Sequence, residues 1–117
     1  MAKSIKDGKI MLAFMITAYV TFGSKKEAEK IALALLKKRL IACANIFPVD
    51  SRYWQNGKIE SQQEYAMLAK SQKRHFERIK ALVQAMHSYE VPCVVCYDIS
   101  GASASYSGWV REETSGH

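Results

Sequence analysis

No apolar run in this chain approaches the ~18 residues that a membrane-spanning helix needs. The longest, Ile10 to Val20, has 11 residues and includes Thr17. Glycine and proline are scarce, six and two in 117 residues, while 49% of the chain is hydrophobic and 24% charged. That balance excludes collagen-like and disordered sequence and fits one globular domain with short tails. Three cysteines, Cys43, Cys93 and Cys96, are an odd number and make no disulfide framework, so a reducing compartment, the cytoplasm, is expected. Cys93 and Cys96 form a C-x-x-C spacing, but Val91 to Ile99 is β-branched and apolar. Residues three apart on a strand point to opposite faces, which suits two small core thiols better than a redox or zinc pair. The excess of 17 Lys and Arg over 11 Asp and Glu is scattered along helix faces. It lacks the interleaved aromatics or RNP1-like string of a nucleic-acid binder, so no nucleic acid and no membrane is expected as partner.

What is present is a regular order of elements. Residues 1–9 read as a flexible tail, residues 10–113 as one domain and residues 114–117 as a second tail. Ile10 to Thr21 reads as a buried strand. Lys3, Lys6 and Lys9 ahead of it imitate the start of a secretory signal, but Asp7 interrupts them and Thr21-Phe22-Gly23-Ser24 offers no small-x-small cleavage site. Ser24 and Glu27 form a capping box, opening a helix to about Arg39 whose inner face is Ala28, Ile31, Ala32, Leu35 and Leu36. Ile41 to Tyr53 predicts a strand with a kink or bulge at Pro48, because proline donates no ladder hydrogen bond. Asn56-Gly57 predicts a tight hairpin turn and a return strand from about Lys58 to Lys70. Both arms far exceed the usual 5–6 residues, so the hairpin must meet something beyond its own domain, and another copy of the chain is the simplest partner. Ser71 to His87 predicts a second amphipathic helix on Phe76, Ile79, Leu82, Val83 and Met86. Val91 to Ile99 is the fourth strand, and Tyr106, Trp109 and Val110 suggest one or two closing helical turns. The order β-α-β-β-α-β is the α+β, ferredoxin-like arrangement: an antiparallel sheet with both helices on one face, here with an extended hairpin and a short C-terminal helix.

Across Ile10 to about Arg111 the chain resembles the CutA family of divalent-cation tolerance proteins. Leu40-Ile41-Ala42-Cys43-Ala44-Asn45 resembles that family's Leu-Ala-Ala-Cys-Val-Asn segment. Ser51-Arg52-Tyr53-Trp54 followed by Gly57-Lys58-Ile59-Glu60 resembles its hairpin. Glu64 and Lys70 match its third-strand polar residues, His87-Ser88-Tyr89-Glu90-Val91-Pro92 is similar to its His-Pro-Tyr-Glu-x-Pro signature, and Tyr106 and Trp109 match its final Tyr-x-x-Trp. The resemblance implies a homotrimer with intersubunit strand pairing, a link to copper and other divalent metals, and a likeness to the trimeric PII regulatory proteins. Ser88 departs from the family proline, which predicts a looser turn. Val20 and Met86 stand where some members carry a Cys and a second His proposed to bind copper.

Two functional readings follow. In the first, a trimeric binding protein linked to copper tolerance binds metal weakly through His87, Met86 and Glu90, with no required cofactor. The plainer alternative for His87 is a cap on the helix end. In the second, a PII-like regulatory or scaffold trimer takes a small molecule or protein partner at clefts between subunits, lined by Tyr53, Trp54, Glu64, Lys70, Tyr89 and Trp109. Trp54 and Trp109 are the expected interface anchors. His75 is expected at the surface. Acylphosphatases share the predicted fold, but a catalytic reading lacks a glycine-rich phosphate loop, a nucleophile with its base, or paired carboxylates; no enzyme is expected.

Overall fold

The computed structural model of the chain describes residues 14–116. The predicted tail 1–9, the first residues of the apolar run and His117 lie outside the described residues. The element order is β1 (Met15–Phe22), α1 (Lys25–Lys37), β2 (Cys43–Gln55), β3 (Lys58–Gln72), a 3-10 turn (Lys73–His75), α2 (Phe76–Met86), β4 (Val94–Asp98) and α3 (Ala104–Glu113). The four strands form one sheet in the order β2-β3-β1-β4, with every neighbouring pair antiparallel. This is the α+β, ferredoxin-like arrangement.

Strand parity decides which residues meet. Met67 and Ala69 of β3 lie opposite Val20 and Ala18 of β1, and this face packs on the helices. The core between them holds Phe22, Ile31, Leu35, Ile41, Ile79 and Val83, all fully buried. The residues of opposite parity, including Glu64, Leu68 and Lys70 of β3 and Thr17, Tyr19 and Thr21 of β1, face the other way. α3 closes the Gln72 end of β3 and buries Ser107 and Val110.

The hairpin is the fold's main departure from a sphere. Its arms have 13 and 15 residues and turn at Asn56 and Gly57, whose φ angles of 54° and 76° are those of the tight hairpin turn predicted for that pair. The molecule measures 56 × 28 × 21 Å with a radius of gyration of 15.9 Å, against about 13 Å for a compact domain of this length. Pro48 makes neither kink nor bulge: the register runs unbroken through Phe47–Ala66, Pro48–Tyr65 and Val49–Glu64. β2 is an edge strand, and there a proline nitrogen turned away from β3 costs no hydrogen bond.

Several other expectations are corrected. α2 begins at Phe76, because Ser71 and Gln72 still belong to β3. α3 has 10 residues, more than the predicted one or two turns. Thr114, assigned to a tail, is fully buried. His75, expected at the surface, is only 3% exposed. The C-terminal turn accounts for both: Gln72 Nε2 donates to Thr114 Oγ1 at 2.8 Å, and His75 Nε2 bonds the Thr114 carbonyl at 2.6 Å. These side chains satisfy a helix end that has no intrahelical partner.

Arg78 Nη2 donates to His75 Nδ1 at 2.6 Å, so Nε2 carries the proton of a neutral ring. Burial holds His75 below its ordinary value of 6.5; the Thr114 carbonyl opposes the shift, and the charges of Arg74 and Arg78 add to it. The unfolded chain therefore takes up a proton near 6.5 that the folded chain refuses. Stability should be full above that value and fall as pH drops below it. Urea midpoints at about pH 7.5 and about pH 5.5 should differ in that direction, and His75→Gln should flatten the difference.

Candidate functional site

The 87–90 junction after α2 is held by three residues of the chain's first two elements, Phe22 and Thr21 of β1 and Glu27 of α1. His87 is the C-cap of α2, with φ −73° and ψ 142°. Its ring stacks on Phe22 at 5.0 Å between centroids. Nδ1 accepts the Tyr89 backbone N–H at 3.0 Å, which leaves the proton on Nε2 to donate to the Thr21 carbonyl at 2.7 Å. Both ring nitrogens are thus engaged inside the protomer. From α1, the Glu27 carboxylate accepts the Ser88 backbone N–H at 2.7 Å and the Ser88 hydroxyl at 3.0 Å. Only half of the predicted capping box forms as such: Ser24 Oγ accepts from the Glu27 N–H, while the Glu27 side chain crosses to α2's end. Ser88 therefore does not loosen the turn; it ties the junction to the first turn of α1.

This junction places Tyr89 over the open sheet face. Gly23 makes room for it: a Cβ there would stand 3.3 Å from Tyr89 Oη. Tyr89 Oη donates to Glu64 Oε2 at 2.6 Å and accepts from Gln62 Nε2 at 3.3 Å; Gln62 Oε1 accepts from Tyr53 Oη at 2.7 Å. The four side chains form one line of hydrogen bonds that ends on a carboxylate. Burial, reinforced by the bond to Glu64, pushes Tyr89 up to about 12, so it is a donor at any ordinary pH. The line runs along an open groove of about 920 Å³, with Tyr19 and Thr21 of β1 and Glu90 and Cys93 among its other walls.

The structure divides the predicted site residues. Tyr53, Glu64, Tyr89 and Glu90 meet in the groove, and Trp54 borders it at the hairpin tip, 74% exposed. Lys70 does not join them. It lies six residues from Glu64 along β3, about 20 Å at ~3.3 Å per residue, and its Nζ donates to Asn45 Oδ1 at 3.0 Å. Trp109 is on α3, half-exposed beside Tyr106. Met86 packs against the helix–sheet core and Glu90 is exposed, so Met86, His87 and Glu90 do not form one donor set. Among the described residues no group of three or more His, Cys, Asp or Glu is placed to hold a metal ion. Cys93, read as a core thiol, is exposed and borders the groove. Burial of its sulfur and the Glu64 charge push the thiol up. Sequence reasoning missed Tyr19, Gln62 and Glu27. Gln62 shares strand parity with Glu64 and carried a usable signal; Glu27 and Tyr19 reach the site only through tertiary packing.

A family model of the CutA1 divalent ion tolerance protein matches residues 16–113. The chain belongs to the CutA1 divalent ion tolerance family. It is similar to the divalent-cation tolerance protein CutA of Archaeoglobus fulgidus, 43% identical over 94 residues that cover 80% of this chain and 92% of that one. It also resembles human protein CutA, 37% identical over 83% of this chain and 55% of the human one. The solved A. fulgidus structure, described as a periplasmic divalent cation tolerance protein, superposes with a TM-score of 0.84 at 40% identity, covering 86% of this chain and 98% of that one. CutA1 from Oryza sativa superposes with a TM-score of 0.85 at 30% identity, over 89% and 96%. Among the described residues of this CutA1-family chain, no helix is long and apolar enough to cross a membrane.

Ser88 yields a direct test. The His87 backbone angles suit a following proline, and Ser88→Pro removes the N–H and hydroxyl whose hydrogen bonds Glu27 accepts. A hydrogen bond to a charged group contributes about 1.5–3 kcal/mol, less where water reaches it, and proline returns about 0.4–1 through the unfolded chain. The net expectation is a loss of about 1 kcal/mol. Denaturant unfolding that shows Ser88→Pro more stable than the parent contradicts the tether.

Proposed function

We propose that this chain is a homotrimeric, non-catalytic binding protein linked to divalent-cation tolerance, and that its working site is the groove along the tip-side half of the hairpin. The observation that carries the reading is the Tyr53–Gln62–Tyr89–Glu64 line of hydrogen bonds, which aims polar groups from three separate elements into one concavity. Sites that converge polar groups in an otherwise open cleft are the usual ligand sites of small folds. Catalysis is disfavoured because the groove's thiol, Cys93, is pushed up rather than activated. The three free thiols favour a reducing, cytoplasmic setting.

Assembly is supported by what one protomer leaves uncovered. Trp54 and Ile59 lie opposite each other at the hairpin tip, 74% and 67% exposed, and Val95 and Tyr97 are exposed on the open face of β4. β2 and β4 both end the sheet with one unpaired edge. Light scattering at micromolar concentration should return about three times the 13.2 kDa chain mass. A 13.2 kDa species under those conditions excludes the trimer. Trp54→Ala should weaken association by about 2 kcal/mol or more, as truncating a buried aromatic anchor does.

Weak metal binding is the second reading, favoured by the family description. It requires the His87 ring to give up Thr21 or Tyr89, and Met86 to leave the core. Titration of metal-free protein with copper(I), copper(II) and zinc should therefore show nothing tighter than micromolar. His87→Ala should destabilise the protomer by about 2–4 kcal/mol without any metal present, because it opens a cavity and strands two hydrogen-bonding groups. Submicromolar copper binding at one ion per chain that His87→Ala abolishes, with the fold intact, makes the metal reading the primary one.

A further inference from the structure

We propose that the groove takes a small organic cation, an amine charged at neutral pH, whose ammonium group rests against the Glu64 carboxylate between the rings of Tyr19, Tyr53 and Tyr89. The inference rests on reading the groove as a ligand site and adds the chemistry of its ligand.

Glu64 is the unusual residue. It is 6% exposed, yet none of the ion pairs among the described residues involves it. A carboxylate removed from water is costly unless paired and hydrogen-bonded. The protomer supplies only part of what is needed. Tyr89 donates to Oε2, and behind it Gln62 and Tyr53 donate in turn along the same line, so every donor of the line points towards Glu64. Among the described residues no basic side chain completes the pair. Arg52 is the one base bordering the groove, but it alternates with Ser51 and Tyr53 along β2 and so leaves the strand from the opposite face. With Glu90 also on the wall, the groove carries two carboxylates against one guanidinium.

The surroundings favour an organic cation over a metal ion. A hard divalent cation needs six or more oxygen ligands for calcium, or a strict octahedron for magnesium; no group of three candidate ligands assembles among the described residues. Phenol rings instead present negative π faces that attract an ammonium group and tolerate its alkyl substituents. Tyr19, Tyr53 and Tyr89 all border the groove. Tyr19 is itself pushed up, by burial first and then by the charges of Cys93 and Glu64, so it too stays neutral. The groove is open and has room for a ligand of several heavy atoms, which predicts modest affinity governed by the charge.

The test is calorimetric titration of the assembled protein with choline and with its uncharged tert-butyl analogue, followed in parallel by Trp54 fluorescence. Choline should bind at one site per chain, the neutral analogue at least about tenfold more weakly, and added salt should weaken choline binding. Glu64→Gln, which keeps an acceptor for Tyr89, should lower choline affinity about tenfold or more while the oligomer mass stays unchanged. Equal binding of the neutral analogue overturns the proposal, as does choline binding that Glu64→Gln leaves untouched. Binding of acetate through Arg52 in place of choline overturns the cation assignment but leaves the groove as a ligand site. An intact oligomer that binds neither, with Glu64→Gln reducing its stability, shows that a cationic side chain of a second copy already occupies the carboxylate, and overturns both.

Discussion

The pairing register of β3 is the constraint on which the rest depends. This strand has hydrogen-bonded neighbours along both edges, β2 over 13 residue pairs and β1 over eight, where β1, the other inner strand, has eight and five. Its residue parity sorts the molecule into two halves. Met67, Ala69 and Ser71 go to the helices, where all three are fully buried. Gln62, Glu64, Leu68 and Lys70 go to the open face. A slip of one residue would send Glu64 and Lys70 into the hydrocarbon core and Met67 into the groove. The many buried contacts on one face therefore specify the placement of a few polar side chains on the other, at no extra cost to them.

The second constraint acts at the end of α2. A chain leaving a helix has unsatisfied carbonyls and a free choice of direction. Here His87 removes that freedom by bonding Thr21 at the end of β1 while accepting from Tyr89, and Glu27 holds Ser88 from α1. β1 and α1 thus meet the end of α2 at three consecutive residues, His87 to Tyr89. The result is a tyrosine hydroxyl placed 2.6 Å from a carboxylate of β3. The same contacts engage both nitrogens of the signature histidine, which are the means by which the junction is built.

Structure and chemistry diverge between the two ends of the open face. At the Gln72 end, α3 and the buried Thr114, Gln72 and His75 close the sheet with a satisfied polar cluster. At the hairpin end, exposed apolar side chains and the Glu64 carboxylate are left beside each other. One end is finished within the protomer, and the other leaves exposed apolar side chains beside an open groove. Their adjacency couples the two: whatever covers the hairpin also borders the site.

Local chemistry was enough to read the element order from the sequence. Ser24 starts α1, Asn56-Gly57 turns the hairpin, and the apolar periods of α1 and of β1 separate helix from strand, because each of these signals acts over a few bonds. The family motifs likewise grouped Tyr53, Trp54, Glu64 and Tyr89, but with Lys70 and Trp109, which lie elsewhere. What only the tertiary structure decided are interactions whose partners lie far apart in the chain. Glu27 reaches Ser88 across 61 residues, His87 reaches Thr21 across 66, and His75 is buried by Thr114 from 39 residues away. A side chain's type limits what it can bond to, but burial and register determine which partner is near enough. For that reason a capping glutamate became a tether, a signature histidine became a clamp, and a tail residue became core.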